Sequence, residues 1–305
     1  MRHVLDVFDL TPAEIHRIFE ITAELKRQLH RGIRETLLPG RVLALLFEKP
    51  SLRTRVSFET GMAHLGGNTL FLGDDVGWGK RETTADFARV ISQYVDAIVC
   101  RANSQAHVEE LAKYSDCPVI NGLTDKAHPC QALADLFTLL EVRGSLDGAK
   151  IAYIGDANNV ASSLAVASGK LGVRMAIASP VGYQFEGAFL EQLKREVPES
   201  QLEILIKPED AVQGADAVYT DVWTSMGQES EKAVRQKAFA NYQVNAKLMS
   251  HAPAHSKFLH CLPAHRGEEV AAEVIDGPNS VVIAQAGNRL HAQKGLLAWL
   301  LGAQV

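Results

Sequence analysis

No stretch of this sequence approaches the roughly 20 consecutive apolar residues that a membrane-crossing helix needs. The longest clear runs, such as Val42 to Phe47, are only six residues long. Cysteine is scarce: Cys100, Cys117, Cys130 and Cys261 are scattered through 305 residues with no C-x-x-C pair. That usage argues against a disulfide framework and for free thiols in a reducing cytoplasm. Positive charge is not in excess either. With 31 Lys and Arg against 36 Asp and Glu, the net charge is -5. A nucleic-acid binder relying on bulk electrostatics is thereby excluded, and any anionic ligand must be held by a local cluster of positive charge. The amino-terminal residues, Met1-Arg2-His3-Val4-Leu5-Asp6, reach an acid with no apolar run before it, so no secretory signal is expected. There is no short-period repeat and no low-complexity tract. The turn Gly155-Asp156-Ala157-Asn158-Asn159 lacks the G-x-G-x-x-G that a dinucleotide needs.

What remains is the profile of a globular protein, 47% apolar and 22% charged, long enough for two cores. Short β-branched runs alternate with longer helical periods, which predicts an α/β fold: two doubly wound domains, each with a mainly parallel sheet flanked by helices. Strands are expected at Val42–Phe47, Ala97–Cys100, Lys150–Ile154, Val173–Ala178, Ala217–Tyr219, Phe258–His260 and Ser280–Ala284. Leu133, Leu136, Phe137 and Leu140 follow the i, i+3, i+4, i+7 pattern of a one-sided helix. The segment Arg143 to Gly148 reads as the hinge. Domains are therefore expected at 1–143 and 144–288, with 289–305 a C-terminal helix free to pack back on the first.

In open parallel sheets, ligands bind beyond the carboxyl ends of strands. Here those ends carry Ser51-Leu52-Arg53-Thr54-Arg55, Arg101, His128-Pro129-Cys130-Gln131, Asn158-Asn159, Asp221, His260-Cys261-Leu262 and Arg289. The ends in the first domain are positively biased; those in the second carry an acid, amides and a thiol. The first set suits an anion and the second an amine. Ser51 is a good N-cap, and free N–H groups behind it, with Arg53 and Thr54, make a phosphate cradle. A capped helix with solvated arginines is the bland alternative from position alone.

Ser51-Leu52-Arg53-Thr54-Arg55 resembles the first signature of the carbamoyltransferases, and His128-Pro129-x-Gln131 is similar to their second. Asp221-Val222-Trp223-Thr224-Ser225-Met226-Gly227 resembles the signature of the ornithine-specific branch, and His260-Cys261-Leu262-Pro263 that branch's form of the third. The resemblance runs from about Val4 to the final helix. It implies that Ser51, Leu52, Arg53, Thr54, Arg101, His128, Gln131, Cys261, Leu262 and Arg289 hold carbamoyl phosphate. Asn159, Asp221, Ser225 and Met226 would hold the amino acid, with Arg101, His128 and Cys261 at the reacting groups. It also implies a homotrimer or a multiple of trimers, with no cofactor and no metal. Two positions depart from the family pattern. Leu52 stands where a threonine is usual, and Gly77 where many relatives carry a glutamine that reaches a neighbouring subunit, so Trp78 or Lys80 is expected to take over that contact.

Rival readings have less behind them. His260, Cys261 and His265, with His251 and His255 upstream, do not have standard zinc spacing. Cys261 as a protease-like nucleophile lacks an assignable base and orienting acid. A catalytically dead regulatory relative is disfavoured because every charged position of both sites is present. Among acceptors, an acylated ornithine has no α-ammonium for Asp221, and putrescine has no carboxylate for Asn159. Aspartate does not match the run from Asp221 to Gly227.

Overall fold

The computed structural model describes every residue except Met226 and Gln228, together with all side chains but those two and Asp74 and Glu229. The chain forms two compact units: residues 1–134 with 287–305, and residues 135–286.

The first unit contains α1 (Pro12–His30), β1 (Val42–Phe47), α2 (Leu52–His64), β2 (Asn68–Leu72), α3 (Thr84–Ile91), β3 (Ala97–Arg101), α4 (Gln105–Tyr114), β4 (Val119–Leu123) and the start of α5 (Pro129–Arg143). Its sheet is wholly parallel, in the order β2-β1-β3-β4. Leu43 to Phe47 and the whole of β3 are buried. Burial on both faces is why these strands read as unbroken apolar runs. By contrast β2, at the sheet edge, exposes Leu70 and Phe71, and the sequence pattern gave no sign of it. Helix α1 begins at a capping box, Thr11 with Glu14, and has Pro12 at its first position.

The second unit continues with β5 (Lys150–Ile154), α6 (Asn159–Lys170), β6 (Arg174–Ala178), α7 (Gly187–Glu196), β7 (Leu202–Leu205), α8 (Pro208–Ala211), β8 (Ala217–Thr220), α9 (Lys232–Phe239), α10 (Ala246–Met249), β9 (Lys257–His260), α11 (Ala272–Ile275) and the start of α12 (Val282–Leu300). Its parallel sheet runs β7-β6-β5-β8-β9. Edge strand β7 also escaped the sequence reading, because its burial pattern has no clean alternation.

One expected strand is wrong. Ser280–Ala284 is not a strand: Ser280 makes a single parallel bridge to Phe258, and the chain then enters α12. Arg289 consequently lies inside a helix rather than after a strand. The buried positions Val282, Gln285, Asn288, Arg289, Ala292, Gln293 and Leu296 follow a helical period, but several are polar. An apolar stripe was therefore invisible, and the local run Val281-Val282-Ile283 looked β-branched.

Each sheet has one point where strand order reverses, between β1 and β3 in the first and between β5 and β8 in the second. Such switch points leave a crevice at the carboxyl ends of the two strands. Ser51 follows β1 and Arg101 ends β3; Asn158 and Asn159 follow β5 and Asp221 follows β8.

Candidate active site

In the first unit, Ser51 caps α2, its hydroxyl accepting from the Thr54 N–H at 3.3 Å. Leu52 is the first residue of that helix; its side chain is 75% exposed, so only its N–H serves the terminus. Around this cradle Thr54, Arg101, His128, Gln131 and Arg289 are all buried. Arg289 organises the group. Its Nη1 donates to Gln131 Oε1 at 2.7 Å and its Nη2 to Thr54 Oγ1 at 3.1 Å. With its amide oxygen turned toward the guanidinium, Gln293 accepts from Arg289 Nε and Nη2 at 3.2 and 3.0 Å and donates to Ser57.

Burial first, then Arg289 and Arg53, lowers the Arg101 guanidinium to about 10. Burial, then Arg289 and Arg101, holds His128 well below the usual imidazole value. His128 is thus a neutral imidazole at pH 7, and the buried Nε of Arg101 has no hydrogen-bond partner among the described residues. Like charges held close together, with an unsatisfied buried donor among them, are a preorganised site for an anion.

In the second unit, Asp221 is the centre. Its carboxylate accepts from Asn158 Nδ2 at 2.8 Å, from the Cys261 thiol at 3.0 Å and from the Val222 N–H at 2.8 Å. Asn158 itself caps α6, its Oδ1 accepting from Val160 and Ala161 N–H groups. Beneath lie Tyr153 and Tyr219, stacked at 5.3 Å. Tyr219 donates to the buried Asp135, which also accepts from Gln285. Asp156, in the same turn as Asn158, binds Arg235 at 2.6 Å; burial nevertheless raises its pKa above the ordinary carboxylate value.

Leu262, next to Cys261, has φ +57, the one non-glycine residue in the left-handed region among the described residues. Such strain is held only where neighbours fix it; here the Leu262 N–H donates to His260 Nδ1, whose Nε2 meets buried Glu269 at 3.2 Å.

The sequence matches two family models. Residues 2–141 match the aspartate/ornithine carbamoyltransferase carbamoyl-P binding domain, and residues 147–300 the Asp/Orn binding domain. Over 300 residues the chain is 53% identical to an ornithine carbamoyltransferase of Anoxybacillus flavithermus, covering 97% of this chain and 96% of that one. It is 51% identical to one from Pyrococcus abyssi over 304 residues, 99% of this chain and 96% of the other. The solved ornithine carbamoyltransferase of Pyrococcus furiosus superposes with a TM-score of 0.96 at 50% identity, covering 100% and 98% of the two chains. The chain belongs to the aspartate/ornithine carbamoyltransferase family.

Within that family frame, Ser51, Arg53, Thr54, Arg101, His128 and Gln131 fall in the span of the carbamoyl-P model, while Asn159, Asp221, Ser225, Cys261 and Leu262 fall in the other. Arg289 lies in the second span by sequence but folds with the first unit. Met226, named with the amino-acid contacts, lies outside the described residues. Asn159 is the first residue of α6, and the amide that holds Asp221 belongs to its neighbour Asn158. The sequence reading passed over Asn158, although its N-cap position was the available signal.

Trp78 needs a correction as a cross-subunit contact. Its ring is buried against Phe87 and His107 in its own unit, whereas Lys80 is exposed. Asp221, His260 and Cys261 bring three potential metal-ligand atoms within 4.8 Å of one another. Both ring nitrogens of His260 and both oxygens of Asp221 already have protein partners there.

Proposed function

We propose that the chain transfers the carbamoyl group of carbamoyl phosphate to the side-chain amine of L-ornithine, giving L-citrulline and phosphate. The observations that carry this reading are a buried, basic cluster of Arg101, Arg289, His128, Thr54 and Gln131 in one unit and, in the other, a buried Asp221 held by three donors. The full-length likeness to relatives named ornithine carbamoyltransferase supports the same acceptor.

In this reading the α2 terminus, from Ser51 through Thr54, receives the phosphate, and Arg53 adds charge. Arg101, Thr54 and neutral His128 donate to the carbonyl oxygen as it gains charge in the tetrahedral transition state. Asp221 pairs with the α-ammonium of ornithine, Asn159 and Ser225 serve its other polar end, and Cys261, Leu262 and Arg289 border the carbamoyl group. The attacking amine has to be neutral, although in water its pKa is near about 10.4. Enclosure beside arginines lowers that value. The Cys261 Sγ is already engaged with Asp221. The departing phosphate is therefore the better proton acceptor.

We further read the protein as a cytoplasmic homotrimer or multiple of trimers that uses no cofactor or metal. The four free cysteines and the exposed apolar side chains Leu52, Val56, Leu70 and Phe71 on α2 and β2 support this. An acceptor panel tests the function. Citrulline should form from ornithine without added metal or nucleotide, in the presence of a chelator. Rates no better than with aspartate or putrescine would refute the assignment, and active monomers in light scattering would refute the assembly.

A further inference from the structure

Beyond the catalytic groups, the first unit gathers a second set of basic side chains that the reaction does not use. Lys26 and His30 come from the last turns of α1, Arg34 from the segment after it, His64 from the last turn of α2, and His291 and Lys294 from α12. Lys294 is only 3% exposed and His291 8%. Neither they nor His64 forms an ion pair or side-chain hydrogen bond among the described residues, and the Nδ1 atoms of both His64 and His291 are buried without a partner. The groups lie close together. The rings of His30 and His291 meet edge to face at 6.3 Å, Lys26 Nζ donates to Asn288 Oδ1 at 2.7 Å, and the Lys294 stem lies against Gly61 of α2. Carboxylates on the same segment are engaged elsewhere: Glu24 by Arg27 and Gln28, and Glu35 by Gln28.

A buried ammonium with no counter-charge, next to other bases, is among the costliest arrangements in a protein unless an anion completes it. The physical state of the cluster agrees. Burial, then Lys26, Lys294, His30 and His64, drives His291 down to about 3; Lys294 and His64 are lowered by burial and by neighbouring cations, with no acid opposing. Two buried ring nitrogens lie in a cluster with the almost fully buried Lys294, while His30 and Arg34 are exposed.

We infer that Lys294, His291 and His64, with Arg34 at the rim, form a second anion site, separate from the α2 terminus, that takes a small oxyanion of the phosphate class.

Calorimetry with inorganic phosphate in phosphate- and sulfate-free buffer tests this on the whole protein. Wild type should bind two phosphates per chain, and Arg53→Ala, which weakens the substrate site, should keep one. Adding Lys294→Met to Arg53→Ala should abolish that remaining site. Adding Arg34→Ala, an exposed change that carries no folding risk, should weaken it at least tenfold. With Lys294→Met alone, one site should persist and still depend on Arg53, which separates failure of this site from failure of the substrate reading. Phosphate binding in the Arg53→Ala protein that is unaffected by both further changes would overturn the inference. So would a change of oligomeric state on Lys294→Met without loss of phosphate, since a carboxylate of a second copy would then be the counter-charge.

Discussion

Asp221→Asn isolates the amine site because it preserves shape while removing charge. The carboxylate now accepts from three donors, Asn158 Nδ2, Cys261 Sγ and Val222 N–H. An asparagine oxygen can keep the last two, but its NH₂ then faces the NH₂ of Asn158. Asn158 cannot turn over without cost, since its Oδ1 caps α6. The fold therefore loses about one hydrogen bond, roughly 1 kcal/mol. The substrate loses more. Breaking one side of a desolvated charge pair costs about 2–5 kcal/mol, or roughly 30- to 5,000-fold in kcat/KM for ornithine. The anion site is built from other residues of the other unit, so the Kd for phosphate, read by calorimetry on the same variant, should stay within about threefold of wild type, under 1 kcal/mol. A loss below tenfold in kcat/KM would show that Asp221 does not bind the α-ammonium. Parallel loss of phosphate affinity would make it a structural residue.

Arg53→Ala should lower kcat by about 100- to 1,000-fold, the usual effect of removing one charge-stabilising donor; a folded variant within tenfold of wild type would make Arg53 an ordinary surface arginine. Gly295→Ala should destabilise the first unit by about 1–3 kcal/mol, because a Cβ there would collide with Thr22 Oγ1 of α1 and lie 2.9 Å from the Ile18 carbonyl; an unchanged urea midpoint would contradict it. Acid should destabilise the protein through its buried histidines. His291 is held at about 3 and His128 well below its ordinary value, so protons bind the unfolded chain preferentially. Their contribution is intact above about pH 6.5 and is lost as pH falls toward the folded value. Denaturation in phosphate-free buffer should show that slope, reduced in His291→Asn; an equal slope in both would remove His291 from the account.

Legible in the sequence alone were the fold class, the five interior strands with the edge strand β9, all of them largely buried, and the residues at their carboxyl ends. Those features are local: a doubly buried strand has to be continuously apolar, and a residue that follows it directly is placed by chain connectivity alone. Ser51 as a cap, Arg101 ending β3 and Asp221 following β8 were legible for that reason. What depended on distant partners was not. The edge strands β2 and β7 are half exposed, so nothing forces a pattern on them. Helix α12 hid behind a β-branched start because its buried face carries Gln285, Asn288, Arg289 and Gln293, side chains that are tolerable inside only once Asp135, Lys26, Gln131, Thr54 and Ser57 meet them. The tertiary structure was needed to show that Arg289 reaches Gln131 and Thr54 from a helix, that Asn158 donates to Asp221, that Trp78 is core, and that Lys294 is buried with no counter-charge among the described residues. Each is settled by which groups satisfy one another across long stretches of chain, and hydrogen-bond and charge satisfaction, unlike hydrophobic burial, leaves no periodic mark in a sequence.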